Sequence, residues 1–265
     1  MVLQSGLPFA PWGEAATRRL PGMQPLDMDD WLRVDEAYAG QMGLRDGLIA
    51  AREGAVIGLV PGAEAAVAQM YDLVMAHLPG GFVHDGAGVV RPDGVRVALD
   101  AERPLQTLGR LVQQDLCMMQ AGPDGEHVLT AAVLCFPAGW TLAEKLGRPM
   151  MRIHKPVARY TEDVGRRVQR LFDGIRVGAP MWRANAHLSR SPLFNPLTED
   201  AATDAAKDAV GQGDLPFVRS ERQCLIRLPK TEGIVFSIHT YLVRLEDLSP
   251  AQAQALAAHP IHRAG

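Results

Sequence analysis

Hydrophobic and polar positions alternate with two different periods along this chain. Over residues 63–78 the apolar side chains recur every three or four positions, which predicts an amphipathic helix that ends at Pro79 and the two glycines after it. Further helices are predicted over 29–51, in the segment after Pro156 and in a short segment after Pro250. Helical segments are thus expected at both ends and in the middle of the chain.

Strand-like segments, bounded by turn residues, occupy much of the remaining chain. The segments with this pattern are 89–99 (a hairpin), 111–119, 127–136, 180–188, 217–228 and 233–245. Short turns join most neighbouring pairs, and a polar insert at about 195–214 separates 180–188 from 217–228. Adjacent strands with short connections form antiparallel sheets, so the predicted class is α+β, with helices on one face of the sheet.

The composition excludes several classes of protein. The chain has 265 residues, 47% hydrophobic, and a net charge of −3, which is ordinary for a globular protein and does not favour a nucleic-acid partner. Its three cysteines lie far apart, so we expect a reducing compartment and no iron–sulfur cluster. We find no dinucleotide-binding glycine loop, no signal peptide and no apolar run that approaches a membrane span, so the expected location is the cytoplasm.

One histidine is a candidate ligand for a metal centre. His154 lies in a segment that predicts a short, rigid loop, because Pro156 fixes its own backbone and restrains the residue before it. Two interpretations are open: a buried histidine bonded to backbone, or the axial ligand of a haem. In the second, the basic helix that follows could bring Arg159 or Arg166 near the haem propionates.

Charged residues interrupt the apolar pattern of two predicted strands. In 217–228, Glu221 and Arg227 share one face by alternation, and Arg222 takes the other. A buried Glu or Arg normally needs a partner, so this strand is either a solvated edge strand or a place where polar groups meet a ligand. The preceding strand carries a similar set on one face, for which a solvated outer face is equally acceptable: Arg183, Asn185 and His187.

Five ordered blocks of the chain resemble one known family. They are Phe136-Pro-x-x-Trp140, Glu144-Lys145-Leu-Gly147, Ile153-His154-x-Pro156-Val157, Glu221-Arg222-Gln223-x-Leu-x-Arg227-Leu-Pro229 and Val235-Phe236-x-Ile238-x-Thr240-Tyr241. Together they resemble the haem-binding alpha subunit of haem-dependent oxidative N-demethylase, a group of dimethylamine mono-oxygenase-like proteins. The resemblance runs over roughly residues 25–245 and thus covers nearly the whole chain.

The resemblance implies an α+β, PAS-like fold, in which an antiparallel sheet flanked by helices encloses one haem pocket. It implies an N-terminal extension (1–60), a haem-binding domain (61–250) and a C-terminal tail (251–265). The implied activity is oxidative N-demethylation of a small secondary amine, such as dimethylamine, to the smaller amine and formaldehyde. Haem b would lie on this chain, while FMN, a 2Fe-2S cluster and NADPH would lie on reductase-type partner subunits.

By the resemblance, His154 is the candidate axial ligand. The chemistry of the reaction then makes Glu221 the candidate carboxylate for the cationic amine, and Arg222, followed by Arg227, the candidate hydrogen-bond donor to oxygen. Glu221 and Arg222 can enter one pocket only if their strand bulges or twists. Ala186 stands where the family pattern has a Trp after Arg-x-Asn, a difference that could reshape the pocket, change the amine accepted or remove the activity.

Two other classes of function fit the same residues. A haem-based gas or redox sensor module would use the same fold and ligand without turnover, and substrate-dependent NADPH consumption with the partner subunits would distinguish the two. A haem-free subunit of an amine-oxidising complex would use His154 for structure, so a His154→Ala variant would leave the cofactor content unchanged.

Overall fold

The computed structural model describes residues 2–18, 22–154, 162–195 and 216–261, with the backbone alone for 154 and 162–164. The strands are β1 (Gln24–Pro25), β2 (Ile57–Leu59), β3 (Val83–His84), β4 (Gly88–Val90), β5 (Arg96–Ala98), β6 (Asp115–Ala121), β7 (His127–Val133), β8 (Met181–Ser189), β9 (Phe217–Arg227) and β10 (Ile234–Arg244). The helices are α1 (Ala15–Arg18), α2 (Tyr38–Val56), α3 (Glu64–Ala76), α4 (Pro104–Leu111), α5 (Leu142–Lys145), α6 (Met150–His154), α7 (Glu162–Gly174) and α8 (Pro250–Ala258).

The strands form one large antiparallel sheet and one small sheet. The large sheet has seven strands in the order β1-β8-β9-β10-β6-β7-β2, and the small one has the order β3-β4-β5. Every pairing in both sheets is antiparallel. The predicted α+β class and the predicted antiparallel sheet are therefore confirmed. The edge strands β1 and β2 both come from residues before 60, while the division at 60 and 250 stays a prediction.

The centre of the large sheet is the long hairpin β9–β10. Its register runs without a break from the pair Arg227–Ile234 to the pair Phe217–Arg244. Strand β8 pairs with β9 along its whole length, again without a shift. Because there is no bulge in β9, neighbouring residues of this strand point to opposite faces of the sheet, as the alternation predicted.

Helices cover both faces of this sheet, which corrects the expectation of helices on one face. On one side Met118, Ile226 and Val235 belong to the same apolar cluster as Val67 of α3 and Leu108 of α4. On the other side a second cluster joins the sheet to α5, α6 and α7; its buried members include Cys117, Leu225, Ile238, Met150, Ile153 and Phe172. A sheet covered on both sides buries the polar residues of both faces.

Two local predictions were wrong. The strand expected over 111–119 begins at Asp115, because the residues up to Leu111 form α4, whose Leu105, Leu108 and Leu111 recur at helical spacing and are all buried. The loop expected around His154 is helical in part, since α6 ends at this residue. A short apolar run of this kind does not distinguish a loop, a strand and one helical turn by its pattern.

Candidate cofactor cavity

A cavity of about 680 Å³ lies between the large sheet and the three helices α5, α6 and α7. Its walls are mostly apolar and include Met119, Leu129, Phe136, Leu171, Phe236 and Ile238. The volume is within the range of about 300–1,000 Å³ that is usual for sites of small molecules and cofactors. Another cavity, on the other side of the sheet, is an open groove lined mainly by polar residues of the N-terminal segment.

Glu221 is the carboxylate of this cavity, and it is fixed by neighbours on the same face of the sheet. Asn185 lies opposite Glu221 in the register of β8 and β9. Its Nδ2 donates to Glu221 Oε2 at 3.1 Å, and Gln223 Nε2 donates to the same oxygen at 3.0 Å. Asn185 Oδ1 in turn accepts the backbone N–H of Glu221 at 3.1 Å. These contacts hold the carboxylate in one orientation. Its second oxygen, Oε1, accepts from neither the Asn185 nor the Gln223 amide.

Arg219 stands behind Glu221 as a buried cation. Its Nε lies 3.8 Å from Glu221 Oε1, close enough for an ion pair although it forms no hydrogen bond. Both of its terminal nitrogens donate to backbone carbonyls, those of Phe136 and Phe194. Burial lowers the pKa of Arg219, and the charge of Glu221 opposes that shift. Arg219 therefore anchors the loop after β7 through the carbonyl of Phe136, and it stabilises the Glu221 carboxylate.

Three cations of the described chain line the cavity itself: Arg183, Lys145 and Arg167. The Nε of Arg183 is buried and has no hydrogen-bond partner within the residues that the structure describes. Burial lowers the pKa of Arg183, and Glu221 counteracts this. The Nζ of Lys145 lies 3.6 Å from the centre of the Trp140 ring. Burial lowers the pKa of Lys145 to about 8, against the opposing charge of Glu221. Among the described residues, the cavity thus combines apolar walls with one carboxylate and several positively charged groups.

The predicted cofactor ligands have different positions relative to the cavity. His154 ends α6, the helix whose Met150 and Ile153 line the cavity, but its side chain lies outside the described residues. Arg159 also lies outside them. Arg166 belongs to α7 but does not line the cavity, whereas the next residue, Arg167, does.

The two arginines predicted as donors to oxygen do not line the cavity. Arg222 points to the opposite face of the sheet, where its Nη1 donates to the carbonyl of Trp31 at 3.1 Å and its Nη2 to Asp30 Oδ2 at 3.0 Å. Arg227 shares the face of Glu221, as predicted, but donates to the carbonyls of Phe172 and Ile175 at the end of α7. Since β9 has no bulge, Glu221 and Arg222 do not meet in one pocket.

Several residues of the cavity were not selected from the sequence. Lys145, Trp140 and Gln223 appeared only as parts of the blocks that resemble the family. The cross-strand match of Arg183 with Gln223 and of Asn185 with Glu221 could have found Gln223, whereas no signal in the sequence pointed to Lys145 and Trp140. Ala186 points away from the cavity and packs in the apolar cluster of Leu7 and Val218 on the other face. A larger residue at this position would therefore not fill the cavity directly.

The chain matches a known family over nearly its whole length. The family model described as haem-dependent oxidative N-demethylase, alpha subunit-like, matches residues 22–262. Within the described parts of the chain, no cluster of three or more His, Cys, Asp or Glu residues could hold a metal ion. Searched over the same residues, no helix combines the length and the apolar character that crossing a membrane requires.

Proposed function

Because the chain belongs to the family of haem-dependent oxidative N-demethylase, alpha subunit-like proteins, we propose that it is the haem-binding catalytic subunit of an oxidative N-demethylase. The proposed substrate is a small secondary amine such as dimethylamine, and the products are the smaller amine and formaldehyde. The observation that carries the proposal is the apolar cavity of about 680 Å³ with Glu221 fixed in its wall. A PAS-like fold, with the sheet and helices enclosing one cofactor pocket, is part of this proposal.

The residues around the cavity fit a haem. A haem is a large apolar ring with two carboxylates, and this cavity has apolar walls together with Arg183, whose buried Nε has no partner within the described residues. A propionate would give that buried N–H its missing acceptor. His154 would hold the haem iron, because α6, to which it belongs, forms part of the wall. Haem b would supply the iron at which oxygen is activated.

Arg159 and Arg166 remain proposed partners of the propionates, with Arg183 added for the reason above. Arg222 and Arg227 remain in the proposal as donors to oxygen only if ligand binding changes their surroundings, since both now donate to protein oxygens. A donor already satisfied by a buried carbonyl would leave that carbonyl unpaired if it moved.

Glu221 is the proposed contact for the amine. A secondary amine is protonated at neutral pH, and a carboxylate in a mostly apolar cavity forms a strong, charge-assisted hydrogen bond with it. Asn185 and Gln223 both donate to one oxygen of Glu221, which holds the carboxylate in place before the amine arrives. The apolar walls would contact the methyl groups and exclude water from the reacting carbon.

Electrons are proposed to come from other subunits. The family name includes the term alpha subunit, which supports partner proteins. In our proposal these partners carry FMN and a 2Fe-2S cluster and pass electrons from NADPH to this chain.

The first experiment is a UV–visible spectrum of the protein expressed with ample haem, beside His154→Ala and, as a matched control, His84→Ala. His84 is exposed, lies in β3 of the small sheet and does not line the cavity, so its removal should leave the spectrum unchanged. We expect a Soret band in the parent and the control, and its loss or shift in His154→Ala. A colourless parent that also fails to bind added haem would contradict the proposed function.

A further inference from the structure

Lys145 is held rigidly at the edge of the cavity. It ends the short helix α5, which begins with a capping box in which Thr141 and Glu144 bond to each other's backbone. Leu142, in the first turn, is buried in the apolar cluster below the cavity. Directly after the helix, the backbone N–H of Gly147 donates to the carbonyl of Leu129 in β7 at 2.8 Å. The amine is therefore presented from a fixed backbone.

The surroundings of the Lys145 amine leave it without a fixed acceptor. Its Nζ stacks on the ring of Trp140 at 3.6 Å from the centroid. Within the described part of the chain, no carboxylate oxygen approaches it to ion-pairing distance, and the neighbouring Glu144 carboxylate accepts from Thr141 instead. Glu221, which faces the same cavity, acts on Lys145 by its charge at longer range. The nitrogen faces a space large enough for a small molecule.

A useful fraction of this amine is unprotonated near neutral pH. Burial lowers the pKa of Lys145 to about 8, although the charge of Glu221 opposes the shift. At pH 7 about a tenth of the amine is then free base, compared with well under a thousandth of an ordinary exposed lysine. Lysines in apolar pockets act as nucleophiles towards carbonyl groups for this reason.

We propose that Lys145 is a covalent capture site for small aldehydes, at which its Nζ forms a carbinolamine and then an imine inside the cavity. The inference rests on the proposed function for the source of the aldehyde, because oxidative N-demethylation releases formaldehyde into this same space. The imine would retain a reactive product until water releases it or an acceptor amine takes it.

The chemistry needs no oxidant or reductant. The lone pair of Nζ forms the new C–N bond, the carbonyl π pair moves to oxygen, and a proton passes from the nitrogen to that oxygen to give the neutral carbinolamine. A second proton, taken up from solvent, lets the hydroxyl leave as water while the nitrogen lone pair forms the C=N bond of an iminium cation, and addition of water with release of that proton reverses the step. Glu221 is the carboxylate that faces the resulting cation across the cavity, and Asn185 and Gln223 keep it oriented.

Reductive trapping of added formaldehyde tests this inference without any amine turnover. The full-length protein is treated at pH 7 with formaldehyde, at no more than one equivalent, and cyanoborohydride, which converts an imine into a stable N-methyl lysine. The sequence has four lysines, at 145, 155, 207 and 230, so peptide mapping by mass spectrometry resolves each site and also the N-terminal amine. Lys230 lies exposed in the β9–β10 turn and is the internal reference.

We expect Lys145 to be methylated at least about tenfold faster than Lys230, because more of its amine is free base. A Lys145→Arg variant should lose this fast phase, whereas Lys230→Arg should keep it, and circular dichroism of both variants verifies the fold. Methylation of Lys145 no faster than that of Lys230 would overturn the inference.

The trapping experiment, together with the haem spectrum and an assay of amine turnover, separates the inference from the proposed function. A protein that demethylates amines but shows no fast methylation at Lys145 would contradict the capture site alone. A protein that traps formaldehyde at Lys145 but neither binds haem nor consumes amine would contradict the proposed function and leave the capture site standing.

Discussion

The two faces of the central β8–β9–β10 sheet bury similar numbers of polar side chains in different ways. On the face opposite the cavity, which we call the packed face, the polar groups bond to one another. On the cavity face, Glu221 is held by amides, while Arg183 and Lys145 have charged nitrogens without a hydrogen-bond partner among the described residues. Burial of a charged residue thus does not by itself mark a site; a buried charge left without a partner beside a cavity does.

The packed face holds a hydrogen-bond network around His239, in which only single atoms such as Gln114 Oε1 and Arg222 Nε have no partner among the described residues. The Nε2 of His239 lies 3.0 Å from Asp35 Oδ2, and its Nδ1 lies 2.8 Å from Gln114 Nε2. A neutral imidazole with its proton on Nε2 satisfies both neighbours, because the amide nitrogen of Gln114 donates to Nδ1. Nearby, Trp31 Nε1 donates to Ser237 Oγ at 2.8 Å. Such a face contributes stability and leaves few groups for a ligand.

The largest expected effect distinguishes carboxylates on the two faces. Glu221→Gln removes the charge proposed to bind the amine, and we expect kcat/KM for the amine to fall by roughly a hundredfold, which is what loss of one charge-assisted hydrogen bond of about 2.7 kcal/mol gives. The unfolding free energy should also fall, because the buried Arg219 loses its nearest carboxylate, although Gln can still accept from Asn185. Steady-state kinetics with the partner subunits provides the measurement.

The matched control for that change is Asp35→Asn on the packed face. It makes the same chemical change away from the cavity, so kcat/KM should be retained well below the unfolding temperature. If Glu221→Gln keeps full amine turnover, or if both variants lose it equally, the distinction between the faces fails for catalysis.

A somewhat smaller effect compares two buried arginines. Arg222→Met leaves the buried carbonyl of Trp31 without its donor, while Asp30 keeps its bonds from Arg33, so we expect a loss of about 2 kcal/mol in unfolding free energy. Arg183→Met removes a cation without a hydrogen-bond partner in the described structure and should leave the stability unchanged or higher. Urea unfolding of both variants measures the difference, and equal losses would contradict it.

The smallest effect is a pH dependence of stability that comes from the packed face. Burial lowers the pKa of His239, with Asp35 opposing, so the folded state binds this proton less readily than the unfolded state does. Its contribution to stability is full above the unfolded pKa of about 6.5 and is lost as pH falls through the folded value, with a slope of at most about 1.4 kcal/mol per pH unit.

Urea unfolding of the parent and of His239→Gln between pH 7 and pH 5 measures this contribution. The variant should lose stability less steeply as the pH falls, because the group that resists protonation is absent. The comparison with the parent is needed because burial also lowers the pKa of His127 and of His187. Parallel curves for the two proteins would show that His239 does not contribute.

The sequence predicted the strands of this sheet better than the short helices beside it. Alternation over eleven residues in β9 and in β10 leaves one register in which both apolar faces are buried, so these strands and the opposite faces of Glu221 and Arg222 were found correctly. The helices α5 and α6 have four and five residues, too few for a helical period to emerge. Tertiary contacts with β7 and the capping box determine them instead.

The candidate site was predicted only in part. Glu221 was named, and it does lie in the cavity, while Arg183 and Asn185 were considered but could equally have faced solvent. Alternation specifies which residues share a face, but not what covers that face. Lys145 is distant in sequence from all of these residues, and it joins them only because α5 folds back onto β7.

The sequence by itself determined the α+β class, the antiparallel central hairpin and the family, because these follow from local periodicity and from ordered blocks of residues. The tertiary structure decided that both faces of the sheet are covered and which face encloses the cavity. It also decided that Arg222 is paired and that Arg183 and Lys145 face the cavity. The physical reason is that a charge is satisfied or left unpaired by groups from other segments of the chain, whose positions are fixed by packing rather than by sequence distance.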